Sequence, residues 1–118
     1  MQKKNGNMIV RTAVLDGVVA PENRAEFRKN MAVLQSMVVN FEGVRDVKVR
    51  FLSDEVEPEE NAPLPQVTFD FYFDSVEAMN NALAGPLRQQ TRAEIQKSLH
   101  IFTGRVYHFV REEIQVEM

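Results

Sequence analysis

Cysteine is missing from all 118 residues of this chain. Its absence removes thiolate zinc sites, iron–sulfur clusters, disulfide frameworks and cysteine nucleophiles together, and leaves the redox compartment open. Histidine is nearly missing too: His100 and His108 are the only two, too few for a metal site that needs three or more convergent ligands, so no metal is expected. No apolar run approaches the eighteen residues of a membrane span. The opening MQKKNGNMIV carries two lysines without a signal-peptide core, so a cytoplasmic protein with no membrane partner is expected. Positive charge is outweighed, with 14 Lys and Arg against 17 Asp and Glu, and Asp54 to Glu60 reads DEVEPEE. That balance argues against a nucleic-acid partner and leaves small molecules or protein surfaces. Neither GxSxG nor a glycine-rich phosphate loop occurs, and no cofactor is expected.

What is present is an alternation of strand and helix patterns. Met8 to Leu15 reads as a strand whose two parities are both largely apolar, so periodicity does not choose its inner face. Pro21 then suits a first helical position. Phe27, Met31, Leu34, Val38 and Phe41 step by four and three along one stripe, widened by Val33 and Met37, with Gly43 as the stop. Val44 to Leu52 alternates Val47, Val49 and Phe51 with Asp46, Lys48 and Arg50. Residues 53–66, with three prolines and a block of acids, read as an exposed loop long enough for a lid or rim. In VTFDFYF, Val67, Phe69, Phe71 and Phe73 share one parity and Thr68, Asp70 and Tyr72 the other. Asp74 and Glu77 form a candidate reciprocal cap for the next helix. Gly85–Pro86 interrupts that helix, and Ile95, Leu99 and Phe102 resume its pattern. A last strand near Gly104 to Glu112 sets Val106, His108 and Val110 against Tyr107 and Phe109.

The order βαββαβ predicts an α+β, ferredoxin-like fold: one four-stranded antiparallel sheet with both helices on one face. The expectation is one domain over 1–118, with 1–7 a disordered start and 53–66 the acidic loop. Two helices leave the second sheet face uncovered, and first and last strands carry apolar residues on both parities. A large exposed apolar face is uncommon on a monomer. A homodimer through the open sheet face, enclosing a shared chamber, is therefore predicted. Parity places Asp70 and Tyr72 in that chamber, joined by Lys48, Arg50, Arg11 and His108.

Three stretches, FRKNMAVL, FEGVRDVKV and FDFYFDSVEAMNNAL, resemble the dimeric α+β barrel superfamily, and within it the EthD-like group named for ethyl tert-butyl ether degradation. The resemblance spans roughly Met8 to Glu113. It implies dimers joined through open sheet faces and a small, often aromatic or polyketide-like, organic ligand held between sheet and helices. The activities it implies include cofactor-independent monooxygenation and isomerisation. EthD-like sequences carry a histidine in a KHMPL-like segment of the first helix; here the segment is KNMAV. Asn30 replaces the histidine, and an amide cannot take up a proton as imidazole does.

The sequence reading assigns catalytic roles to Asp70, Tyr72 and His108, and ligand-binding roles to Arg11, Asn30, Lys48 and Arg50. The expected function is a cofactor-independent small-molecule enzyme, monooxygenase- or isomerase-like, acting on an organic acid or aromatic compound. A non-catalytic dimeric module with a filled interior is the alternative. A remoter one is an RNA-binding domain, suggested by Phe-x-Phe on the third strand but lacking its basic residue, glycine and aromatic platform.

Overall fold

A computed structural model describes residues 7–114. Of the expected disordered start, residues 1–6 lie outside the described residues, while the Asn7 side chain donates to Glu112 Oε2 at 3.4 Å. The chain runs β1 (Met8–Val19), a 3-10 turn (Pro21–Asn23), α1 (Arg24–Val38), β2 (Asp46–Phe51), β3 (Pro65–Phe73), α2 (Val76–Leu83), α3 (Leu87–Leu99) and β4 (Phe102–Glu113). The strands form one antiparallel sheet in the order β2-β3-β1-β4. This is the ferredoxin-like arrangement, with the second helical region split in two.

The period-four-and-three stripe does what it predicts: Phe27, Met31, Leu34, Val38 and Phe41 are all buried. They pack on the sheet face that carries Ala13, Leu15, Phe69 and Phe73. Burying large apolar side chains such as these contributes about 1.5–3 kcal/mol each. Val33 does not widen the stripe, being 41% exposed, because its position on the helix turns it toward solvent. The α-helix ends at Val38, and Phe41 reaches the core from the following turn, where Gly43 adopts φ +88°. Such a left-handed position suits glycine.

β1 is four residues longer than its hydrophobic pattern suggested. Asp16 to Val19 continue the pairing with β4, and Gly17 stands opposite Gly104. A Cβ on either glycine would run into the partner's backbone, and Gly104 also adopts φ +156°. Two glycines therefore allow a close strand approach that side chains would prevent. On the other edge the register shifts between Leu15 and Asp16, and Asp16 Oδ1 accepts from the Leu64 N–H at 2.8 Å.

The acidic loop is not a lid over the helix-side cleft. Arg24 and Arg28 reach Asp54 at 3.2 and 3.4 Å, and the Arg28 guanidinium lies 4.7 Å from the centre of the Phe51 ring. These contacts hold the loop's start against α1 and β2. Among the described residues no helix is long and apolar enough to cross a membrane.

The helix cap differs from the sequence expectation by one residue. Ser75 is the N-cap of α2, and its Oγ accepts from the Ala78 N–H at 3.1 Å. Asp74 instead receives two hydrogen bonds from Arg45, at 2.7 and 2.9 Å. Ser75→Ala is expected to lower unfolding free energy in urea by about 1 kcal/mol, the usual worth of a serine cap. Glu77→Gln should change it by less than about 0.5 kcal/mol, as ordinary surface substitutions do; the opposite ranking would restore the Asp74–Glu77 cap.

Candidate functional site

The β1 register sorts the expected site residues onto two faces. Arg11, Ala13 and Leu15 stand opposite Phe71, Phe69 and Val67 on β3, and opposite Val110, His108 and Val106 on β4. All belong to the helix-facing side. Thr12 stands opposite Asp70, Val10 opposite Tyr72, Lys48 opposite Asp70 and Arg50 opposite Thr68, on the open side. The single chamber expected from parity is thus corrected: Arg11 and His108 are separated by the sheet from Asp70, Tyr72, Lys48 and Arg50. The physical reason is that both parities of β1 and β4 are apolar enough to face a core, and a charged residue is no guide there.

On the open face Asp70 is a tightly held carboxylate. Its Oδ1 accepts from Thr12 Oγ1 at 2.5 Å, and its Oδ2 accepts from Arg50 Nη1 at 2.8 Å. Arg111 Nη2 lies 3.7 Å from Oδ1 and donates to Thr12 Oγ1 at 3.0 Å. The acid is 7% exposed. Tyr72, also buried, lies beneath Lys48, whose Nζ is 5.1 Å from the ring centre. A hollow of about 190 Å³ beside them is bordered by Val10, Arg111, Glu112 and Glu113.

The helix side holds the larger space, a cleft of about 360 Å³ between the sheet and helices α1 and α3. Small Ala13 lies on its floor, while Leu34, Val38, Phe69 and Phe71 supply an apolar wall. Its polar groups are Arg11, Arg88, Thr91, Arg92, Gln96 and His108. Thr91 is buried and its Oγ1 donates to the Arg88 carbonyl at 2.9 Å. Ion pairs among the described residues engage Arg24, Arg28, Arg45, Arg50, Lys97 and Arg111. None neutralises Arg11, Arg88 or Arg92.

Burial, then the charge of Arg88, lowers the Arg11 pKa below its ordinary value. His108 is pushed down to about 4, first by desolvation and then by the charges of Arg11, Arg88 and Arg92. His108 is exposed along the edge strand as a whole residue, yet loss of hydration and three cations act in one direction. The imidazole is therefore neutral near pH 7, with a lone pair available to a proton.

Asn30 lies elsewhere. Its Nδ2 donates to Ser98 Oγ at 2.9 Å across the α1–α3 seam, where Ser98 is fully buried. Its amide donor joins two helices, and it does not line the cleft. The sequence reading missed Arg88, Thr91, Arg92 and Gln96. Their signal was positional: Arg88, Arg92, Ile95 and Leu99 step by four, three and four, so both arginines share the stripe of the apolar pair. Among the described residues no group of three or more His, Asp or Glu side chains could hold a metal ion.

With sheet, helices and cleft arranged this way, the chain is an α+β protein of the ferredoxin-like type, and solved structures share its whole architecture. An ethyl tert-butyl ether degradation (EthD) family protein from Bacillus halodurans is 17% identical, with a TM-score of 0.63 over 91% of this chain and 99% of the other. A Bordetella bronchiseptica protein, provisionally described as an antibiotic biosynthesis monooxygenase, is 17% identical, with a TM-score of 0.62 over 94% and 100%. A dimeric protein of unknown function with a ferredoxin-like fold, from Bacteroides fragilis, is 8% identical, with a TM-score of 0.62 over 89% and 95%. At these identities the likeness concerns the fold. No family model and no curated protein matches the sequence.

The His108 environment has a measurable consequence. Its folded-state pKa of about 4 lies below the ordinary 6.5, so the unfolded chain takes up the proton first. This residue's contribution to stability is therefore complete above about pH 6.5 and is lost as pH falls through the window toward 4. A ¹H–¹³C NMR titration of His108 should give a midpoint near 4, and Arg88→Gln and Arg92→Gln should each move it upward. A midpoint at the ordinary value would remove the electrostatic account of the cleft.

Proposed function

We propose that this protein is a cofactor-independent small-molecule enzyme, monooxygenase- or isomerase-like, acting as a homodimer on an organic acid or aromatic compound. One observation carries the reading: an apolar cleft of about 360 Å³ between sheet and helices that brings His108 and Arg11 together on its wall. The cleft has the size range and the lining, apolar with a few polar groups, of small-molecule sites. His108 is the proton acceptor in this reading. Removing a proton from a carbon beside a carbonyl is the step common to isomerisation and to oxygenation without a cofactor. Arg11 next to His108 on the sheet floor suits the enolate oxygen that this step creates. Asp70 lies on the opposite face of the sheet, held by Thr12 and Arg50, and is assigned no step in this cleft.

The helix-side cleft supports the small-molecule reading over a non-catalytic module whose barrel interior is filled by its own side chains. The RNA-binding reading is weaker still, because Val10, Thr12 and Val14 rather than aromatic residues occupy the open face of β1. For the homodimer, the support is Phe109, 40% exposed on the open face beside Tyr107 at a ring separation of 6.2 Å. Similar folds from Bacteroides fragilis and Thermobifida fusca are described as dimeric. The partner is a second copy laid on the open sheet face; the cleft faces the other way and stays accessible.

Two measurements test this. Sedimentation velocity should give twice the 13.6 kDa chain mass, and Phe109→Asp should return the single-chain mass; a wild-type protein sedimenting as a monomer at high concentration excludes the dimer. Deuterium wash-in to the acidic carbon of benzoylacetone, followed by NMR, should be catalysed by the wild type. His108→Phe should slow it by about 10²–10⁴-fold, the usual worth of a positioned acid–base group. Wash-in unaffected by that substitution rules His108 out as the base.

A further inference from the structure

Among the described residues the three arginines of the cleft have no acidic counterpart in ion-pair reach, and two of them form a like-charge pair. Arg88 and Arg92 stand one helical turn apart on α3, an i,i+4 pair of like charges that disfavours an isolated helix. Arg11 faces them from the sheet floor, half-buried and sensing the charge of Arg88. All three share one apolar-walled cavity with His108, and no described carboxylate lies within ion-pair distance of any of them. A second hollow of about 160 Å³, bordered by Gly85, Gln89, Arg88 and Arg92, opens beside the same two side chains. The positive edge therefore extends toward the α2–α3 junction, away from the apolar wall.

From this juxtaposition we infer that the cleft selects an organic carboxylate: an apolar, aromatic-sized body against Phe69, Phe71 and Leu34, with its anionic end held by Arg88 and Arg92. The inference rests on the cleft being the ligand site and narrows the substrate class from organic compounds in general to acids. A guanidinium pair suits a carboxylate because each offers planar, paired N–H donors. The acid supplies the missing negative charge, and Arg11 remains for the oxygen nearer His108.

The probe pair is 2-naphthoate and 2-naphthamide, equal in shape and different in charge, titrated by calorimetry and by methyl NMR of Leu34, Val38 and Leu99. Naphthoate should shift these methyl signals and bind at least about tenfold tighter than naphthamide, the factor that about 1.4 kcal/mol from a charged hydrogen bond gives. Arg88→Gln and Arg92→Gln should each weaken naphthoate by about tenfold while leaving naphthamide within about twofold; the unchanged amide also shows that each variant is folded. Equal affinities for the two probes, with shifts at the cleft, would overturn acid selection and leave the cleft reading standing. Shifts from neither probe would overturn both.

Discussion

One buried carboxylate ties the four strands together. Asp70 belongs to β3; it accepts a hydrogen bond from Thr12 on β1, pairs with Arg50 on β2 and lies near Arg111 on β4. Each strand thus contributes a group to one point in the middle of the open face. A strand that slipped by one residue would carry its whole side-chain set to the wrong face, and here it would also leave a buried acid without a donor. That penalty is about 1–3 kcal/mol per unsatisfied group, and more for a charged one. Lys48 over the Tyr72 ring, Arg50 on Asp70 and Arg111 over the Phe109 ring lie across the same face, where Val10, Thr12 and Val14 are buried within a single chain; long basic stems can cover apolar surface in this way. The open face is consequently less apolar than its strand pattern implies.

Because Thr12 is fixed against Asp70, its neighbour Arg11 must point to the helix side, into a region otherwise lined by phenylalanine, leucine and valine. The space that receives it exists for two reasons. Ala13 leaves the sheet floor low at its centre, and Gly85–Pro86 ends one helix before α3 begins at Leu87. The break lets α3 lie against α1 while presenting Arg88, Thr91, Arg92 and Ile95 to the sheet. Burial acts on Arg11 in particular, and desolvating a cation costs free energy that a partner charge recovers. Three guanidiniums on one cleft, with no acid in ion-pair reach among the described residues, are the arrangement on which the acid-selection proposal rests.

Much of this fold could be read from residue order, and the reasons for the exceptions are specific. Strands β2 and β3 were legible because Val47, Val49, Phe51 and Phe69, Phe71, Phe73 alternate with polar residues; only one face can be inner. The α1 stripe was legible for the same reason at helical period. Strands β1 and β4 were not, since Val10 and Val14 are as apolar as Ile9 and Leu15, and Tyr107 and Phe109 as apolar as Val106 and Val110. The face of β1 is decided by its pairing with β3, and that of β4 by its pairing with β1, long-range facts that local pattern lacks. The same ambiguity put Arg11 and His108 with Asp70, an assignment that followed charge where register governs. Arg88 and Arg92 escaped notice because arginine on a helix usually marks the solvent side, as it does for the exposed Arg92, although their spacing from Ile95 and Leu99 aligned both with the cleft.

The two faces are insulated by the sheet but not independent, because β4 belongs to both. It is an edge strand with almost no cover beyond Phe102: His108 looks toward the cleft, and Phe109, the next residue, looks out of the open face, where it lies 5.0 Å from the Arg111 guanidinium. An exposed edge strand is the part of a sheet held least firmly by its own chain. Packing a second molecule on Phe109 would restrain the backbone that carries His108, and a base must be held to within a fraction of an ångström to work well. The proposed dimer contact and the proposed base would thus fall on two consecutive residues. The imidazole sits on the strand that a subunit interface would steady, whereas Asp70 is already held within one chain by Thr12 and Arg50.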